Sequence, residues 1–218
     1  MGLNTTTKLV SDVVTDVRRT FGDEASIQIT DADIIRWVNS AQREILIQNK
    51  ILRAVGTTDV TAGQSEYNLA SLNVVSIQSI HLSGRKLEYR SFNEAEEYVQ
   101  RQDPLKKVSS DPTMWFEWGG TINLYPIPDT TVVAGLTVYY IKDPIMLALV
   151  TDALSVPDSY YETVLQFVMA KAYELDEDTQ NATTKYGQFT ARLNTLADAE
   201  AYPNQDTYPR ISIREEDM

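Results

Sequence analysis

The apolar positions change period twice along the chain. Residues 5–21 carry Val10, Val13, Val14, Val17 and Phe21, an apolar stripe at helical spacing. Gly22 is placed to stop that helix. Thr30 and Asp33 have the spacing of a capping box with Asp in place of Glu, so a second helix is expected to start near Asp31. It carries Ile34, Val38, Ala41 and Ile45 on one face, and Gly56 closes the region. From Thr57 the period falls to two. Val74, Ile77, Ile80 and Leu82 lie in a β-branched run that reads as strand, followed by a Ser83-Gly84 turn. Ser91 and Glu94 predict a capping box for a short helix over 93–100. Met114-Trp-Phe-Glu-Trp118 and Thr121-Ile-Asn-Leu-Tyr125 flank Gly119-Gly120, the clearest hairpin signal in the chain. Leu136 to Ile141 is a further strand.

Helical spacing returns after Pro157. Ser159 and Glu162 have capping-box spacing, and Tyr161, Val164, Leu165, Val168, Ala172 and Leu175 form a broad stripe. After a polar loop over 174–181, Ala182, Tyr186, Phe189, Leu193 and Leu196 form another. Two such helices joined by a short loop predict an antiparallel hairpin packed on the first two helices. The last stretch pairs Tyr202 with Pro203 and Tyr208 with Pro209, then alternates Arg210-Ile211-Ser212-Ile213-Arg214. Pro blocks helix, and the alternation suits an extended segment. The expected fold class is α+β: mainly a bundle of about four helices drawn from both ends of the chain, with an inserted β-rich subdomain and an extended C-terminal arm. The expected divisions are 1–56, 57–145, 146–201 and 202–218.

Charge and composition narrow the function. The net charge of −12 disfavours nucleic-acid binding across a broad surface, which needs Lys and Arg. It disfavours an anionic membrane surface for the same reason. Residues 151–201 hold nine acids against three bases. No run of about 18 apolar residues is present, so no membrane span is expected. The first residues lack the basic-then-apolar pattern of a signal peptide. Gly2 and Thr6 touch a myristoylation pattern, but the segment reads as the lead-in to a helix. With no cysteine, disulfides, thiol nucleophiles and Cys-based metal sites are excluded.

Candidate chemistry is sparse. The single histidine, His81, lies between Ile80 and Leu82 in a strand-like run, without a motif that supplies an orienting partner. No phosphate-loop, dinucleotide, nucleophile-elbow or HExxH pattern occurs. Glu174, Asp176, Glu177 and Asp178 are the densest acidic cluster, but lack the ligand spacing of an EF-hand and read as a solvated interhelical loop. Trp115, Phe116 and Trp118 read as core or subunit-interface packing rather than a stacking platform. No catalytic residue, metal or cofactor is expected.

Laid out in this order, the chain resembles the head-to-tail adaptor (connector, or head-completion) proteins of tailed bacteriophages. Four segments carry the resemblance: Asp33-Ile-Ile-Arg-Trp-Val-Asn39 with Ala41-Gln-Arg-Glu44; Trp115-Phe-Glu-Trp-Gly-Gly-Thr-Ile-Asn-Leu-Tyr125-Pro-Ile-Pro128; Val156-Pro-Asp-Ser-Tyr160-Tyr161 running into Ala170-Lys-Ala-Tyr-Glu174; and Ala182, Tyr186, Phe189 and Leu193 at helical spacing. The resemblance implies a non-enzymatic virion protein in the neck between capsid and tail, assembled in the host cytoplasm. It implies a twelve-fold homo-oligomeric ring docked on the portal, with tail or nozzle proteins on the other side and genomic DNA passing through without specific binding. The arm residues Tyr202, Pro203, Tyr208, Pro209, Arg210, Ile211, Ile213 and Arg214 would dock on the portal or a neighbour. Trp115, Phe116 and Trp118 would serve a subunit interface, and Glu174, Asp176, Glu177 and Asp178 would face the channel. A neck or tail-tube completion ring, an acidic module that mimics DNA, and a carboxylate hydrolase are the competing readings.

Overall fold

The computed structural model describes residues 7–23, 25, 26, 28–103 and 108–201, with side chains to Asp198. Among the described residues there are five α-helices and two four-stranded sheets, a mixed α+β protein. They form two compact units, Met1–Asn49 with Pro144–Met218 and Lys50–Asp143.

The helical unit contains α1 (Val10–Phe21), α2 (Asp31–Asn49), α4 (Tyr161–Leu175) and α5 (Thr179–Ala201). Here α4 packs on each of the other three. The α1 stripe is buried at Val10, Val13, Val14 and Val17, and that of α2 at Ile34, Val38, Ala41 and Ile45. Gly22 ends α1 with its N–H on the Arg18 carbonyl. The Thr30 hydroxyl accepts from the Asp33 amide and donates to its carboxylate, as the capping-box spacing predicts. Phe167 of α4 meets Tyr186 and Phe189 of α5. These residues lie at similar distances either side of the turn at residues 176–178, so the two helices run antiparallel.

One local expectation fails. Ser159 does not cap α4. The chain enters through a 3₁₀ turn, Asp158–Tyr160, and Tyr160 precedes α4 without a side-chain cap bond. Asp158 turns to the N-terminus instead. It accepts from the Thr7 amide (2.9 Å), the Thr7 hydroxyl (2.5 Å) and the Lys8 amide (3.1 Å). Main-chain bonds from Val10 to Asp152, Ser11 to Val150 and Leu154 to Lys8 extend the join. The Tyr161 hydroxyl donates to Asp16 (2.5 Å), and burial together with that carboxylate pushes the phenol's pKa well up.

The join predicts an acid-sensitive fold. Hydrogen bonds from the Thr7 hydroxyl and amide hold the Asp158 carboxyl below the usual range, and the Ala148 and Leu149 amides do the same for Asp152. A carboxyl depressed in the folded state stabilises the fold above its unfolded value, about 3.9, and loses that contribution as pH falls through its lower folded value. Urea midpoints should therefore fall below about pH 4, and Asp158→Asn should make that limb shallower. An acid limb identical in the variant would show that Asp158 carries none of it.

The β unit stacks two sheets. The first has the order β1 (Arg53–Val60), β8 (Val132–Lys142), β3 (Val74–Leu82), β4 (Arg85–Lys86). The second has β2 (Glu66–Asn68), β7 (Thr121–Tyr125), β6 (Met114–Trp118), β5 (Glu88–Tyr89). Ile80, Leu82, Leu136, Val138 and Tyr140 of the first meet Tyr67, Trp115, Ile122 and Leu124 of the second in one core. On its other side the second sheet carries α3 (Phe92–Gln102), where Ala95 and Val99 pack with Met114 and Tyr125. Ser91 and Glu94 form the predicted capping box of α3. Gly56, read from sequence as the close of the helical stretch, lies inside β1, opposite Val138. A Cβ there would sit 2.9 Å from both Leu72 methyls, so its smallness serves packing rather than chain termination.

Candidate interaction surfaces

The hairpin aromatics separate across the sheet. Gly119 (φ +60°) and Gly120 (φ +78°) form the two-residue turn that pairs Trp118 with Thr121. Alternation then sends Trp115 to one face and Phe116 with Trp118 to the other. Trp115 is 3% exposed, inside the inter-sheet core and 4.8 Å from the Tyr89 ring. Phe116 is half-buried over α3. Trp118 is 62% exposed and lies stacked on Phe92, ring centroids 4.2 Å apart. Of the three aromatics, Trp118 is the one offered to solvent, held in place by Phe92. The helical phase of Phe92, at the start of α3, was not read from the sequence as part of this cluster.

The acids of the α4–α5 turn do not converge. Glu174 is paired with Lys171 (2.7 Å). Asp178 accepts from the Asn181 amide and side chain, which hold its carboxyl below the usual range and begin α5. Glu177 has a left-handed backbone (φ +59°), and Asp176 is exposed at the end of α4. Among the described residues no group of three or more His, Asp or Glu is placed to hold a metal. His81 is half-buried in β3, its ring 4.9 Å from that of Tyr139 and 3.4 Å from the Ser79 hydroxyl. Among the described residues no helix is long and apolar enough to cross a membrane.

A surface that the periodicity does not reveal lies at residues 144–150. Ile145, Met146 and Leu149 are exposed, Met146 by 82%. Beneath them the loop is fastened at residues 145, 147, 148 and 149. Leu147 is buried, and its main chain is clamped both ways by the Asn39 side chain, each bond 2.9 Å. The Ile145 amide donates to Ser155, and the Ala148 and Leu149 amides donate to the Asp152 carboxylate. The available signal was an apolar run, Pro-Ile-Met-Leu-Ala-Leu-Val, with no period of its own, bounded by Asp143 and Asp152. Three exposed apolar side chains thus stand on a hydrogen-bonded frame rather than on a loose loop.

The arm residues Tyr202, Pro203, Tyr208, Pro209, Arg210, Ile211, Ile213 and Arg214 lie outside the described residues.

In comparison with known families, the chain matches the family described as SU10 adaptor protein over residues 8–210. That match takes in both units and ends before Ile211. No curated protein matches the chain.

Proposed function

The chain belongs to the SU10 adaptor protein family of phage head–tail adaptors, and from that premise we propose that it is a structural subunit of the virion neck. It works as one copy in a ring beneath the portal, with tail or nozzle proteins on the far side. The family match over both units is the observation that carries this reading. The helices from both ends of the chain form a four-helix body, the β unit is its insertion, and residues 202–218 are the arm that docks on the portal or a neighbouring copy.

Physical features support the parts. The acid-rich α4–α5 turn, placed on the channel side, repels passing DNA phosphates and keeps the genome from adhering. Trp118, exposed but fixed by Phe92, suits a contact between copies, since a preordered aromatic loses little entropy on burial. The chemistry required is recognition and assembly, not turnover.

Light scattering after size exclusion tests the proposal. The protein alone should run as a monomer and, mixed with its portal, should co-elute at several copies per portal. A small oligomer that ignores the portal contradicts it.

A further inference from the structure

An edge strand leaves main-chain N–H and C=O groups without a ladder partner. Among the described residues three of the four sheet edges of the β unit are short and carry charge. Strand β4 has two residues (Arg85–Lys86), β5 two (Glu88–Tyr89) and β2 three (Glu66–Asn68). The fourth edge is β1, eight residues long and paired with β8 alone. Its charges, Arg53 and Asp59, stand near its ends. The stretch between, Ala54-Val-Gly-Thr-Thr58, has no charge and no proline, and its ladder with β8 is regular as far as Thr58. Natural sheets blunt long edges with charge, proline or bulges, so an edge left like this one is a template for a further strand.

The same edge has an apolar face that is not fully covered. Arg53, Val55, Thr57 and Asp59 are exposed on the outer face, while Ala54, Gly56 and Thr58 are half-buried on the inner one. Ala54 and Leu72 pack against the inter-sheet core yet stay half-buried, and Leu72 lies over Gly56. A strand laid beside β1 with apolar side chains on its inner face would cover them.

We propose that residues 210–216 of one copy, Arg-Ile-Ser-Ile-Arg-Glu-Glu, add an antiparallel strand to the β1 edge of a neighbouring copy. One register satisfies pattern and charge together. With Arg210 opposite Asp59, Glu216 falls opposite Arg53 and Ser212 opposite Thr57. Ile211 and Ile213 then fall opposite Thr58 and Gly56. Directly opposed residues share a face, so both isoleucines enter the inner face beside Leu72, and both charge pairs lie outside. Arg214, opposite Val55, covers it with its aliphatic stem. Glu215, opposite Ala54, is the one charge on the inner face. Asp59 holds the Ala134 amide (2.7 Å) with one carboxylate oxygen, which leaves the other for a guanidinium.

Other registers do worse. A slip of one residue turns both isoleucines outward, and a slip of two parts both charge pairs. A parallel strand sets like charge against like, because the acids of the segment follow its arginines while Arg53 precedes Asp59. Residues 211–216 lie past the family match, so the pairing stands on this chain's own residues. The eight residues 202–209 join α5 to Arg210 and span at most roughly 26–29 Å, which limits how far the receiving edge can lie from the end of α5. That the edge belongs to a neighbouring copy rests on the reading of the chain as an adaptor that assembles in a ring.

The chain has no cysteine, so introduced ones report the register. Thr57→Cys and Ser212→Cys are prepared as separate full-length proteins, one of them isotopically labelled. Thr57 is exposed, and circular dichroism checks that its variant keeps the fold. The two are mixed, assembled on the portal and oxidised, and disulfide-linked peptides are identified by mass spectrometry. Opposed residues of an antiparallel pair have Cα atoms about 4.5–5.5 Å apart, within disulfide reach. The expected result is a 57–212 link between the two isotopes. It should be about tenfold or more above the link of Ser212→Cys to Val55→Cys, which is two residues out of register. A chain carrying both Thr57→Cys and Ser212→Cys should oxidise to a ladder of multimers. Ile213→Glu should raise the concentration needed for half-maximal ring assembly about tenfold or more. Equal linking at 55 and 57, or a link closed within one chain of the double variant, overturns the pairing, as does an Ile213→Glu protein that assembles like the wild type. Rings that form without any 57–212 link overturn the pairing while the adaptor reading stands. If the wild-type protein forms no ring on the portal, the adaptor reading falls and the exchange between copies falls with it.

Discussion

Phe189→Ala is expected to destabilise the helical unit by about 3–5 kcal/mol, the usual cost of emptying a buried phenylalanine site. Phe189 has no exposed surface, and its ring lies 5.2 Å from Phe167 and 5.6 Å from Tyr186. The aromatic contacts are lost along with the apolar area. The neighbours are not free to collapse into the gap. Leu193, one turn on, is fully buried, and its carbonyl receives the Asn49 side chain, which also donates to the Tyr160 hydroxyl. A domain's whole stability is about 5–15 kcal/mol, so the variant should be marginal. Urea unfolding followed by far-ultraviolet circular dichroism measures the change. Gln188→Ala on the exposed side of α5 should fall within about 0.5 kcal/mol of the wild type. A loss under 1 kcal/mol for Phe189→Ala would show that α5 is not locked into the core.

Deleting residues 202–218 should act in the opposite way, leaving the fold and removing assembly. In the proposed function this segment is an arm that docks on the portal or a neighbouring copy. Helical ellipticity and the urea midpoint should match the full chain. Binding to the portal should not. One extended arm pays roughly 1–2 kcal/mol per residue to become ordered, so it is a weak clamp alone. A ring of arms acts multivalently, and multivalency is worth about 10²–10⁴ in affinity. Truncation should therefore weaken ring formation by about a hundredfold or more. An unfolded truncated protein would place residues 202–218 in the core. Undiminished rings would show that the arm does not dock.

The helices are legible in the sequence because each buries one stripe of an otherwise polar surface. The spacing of Val10, Val13 and Val17, or of Ala182, Phe189 and Leu193, survives into the burial pattern. The Gly119-Gly120 hairpin is legible because its turn demands positive φ at both positions. The start of β1 is hidden. Lys50 takes a left-handed conformation (φ +52°) straight after α2, with no Gly or Pro to mark the end of the helix. Strand β3 is half-hidden. Val74, Ile77 and Ile80 are three apart, which no regular strand permits on one face. Two register shifts, at Val74/Ser76 and Ile77/Ser79, turn all three toward the same core.

Tertiary demand explains the rest. Ser159 has the right spacing for a cap, but Asp158 is drawn to Thr7 and Lys8 across 151 and 150 residues of chain, which no local pattern encodes. The hairpin tryptophans look alike in sequence, yet register puts Trp115 in the core and Trp118 in water. The apolar loop at 144–150 has no period because its frame is made of hydrogen bonds to Asn39, Asp152 and Ser155, not of a helix or strand.

In the proposed function, copies of this chain close into a ring on the portal axis. Electron microscopy of the protein mixed with its portal tests it most directly. The expected image is a closed ring of copies coaxial with the portal channel, added as one layer on its tail-facing end. Single copies scattered over the portal surface, or a portal left bare at saturating protein, would contradict it.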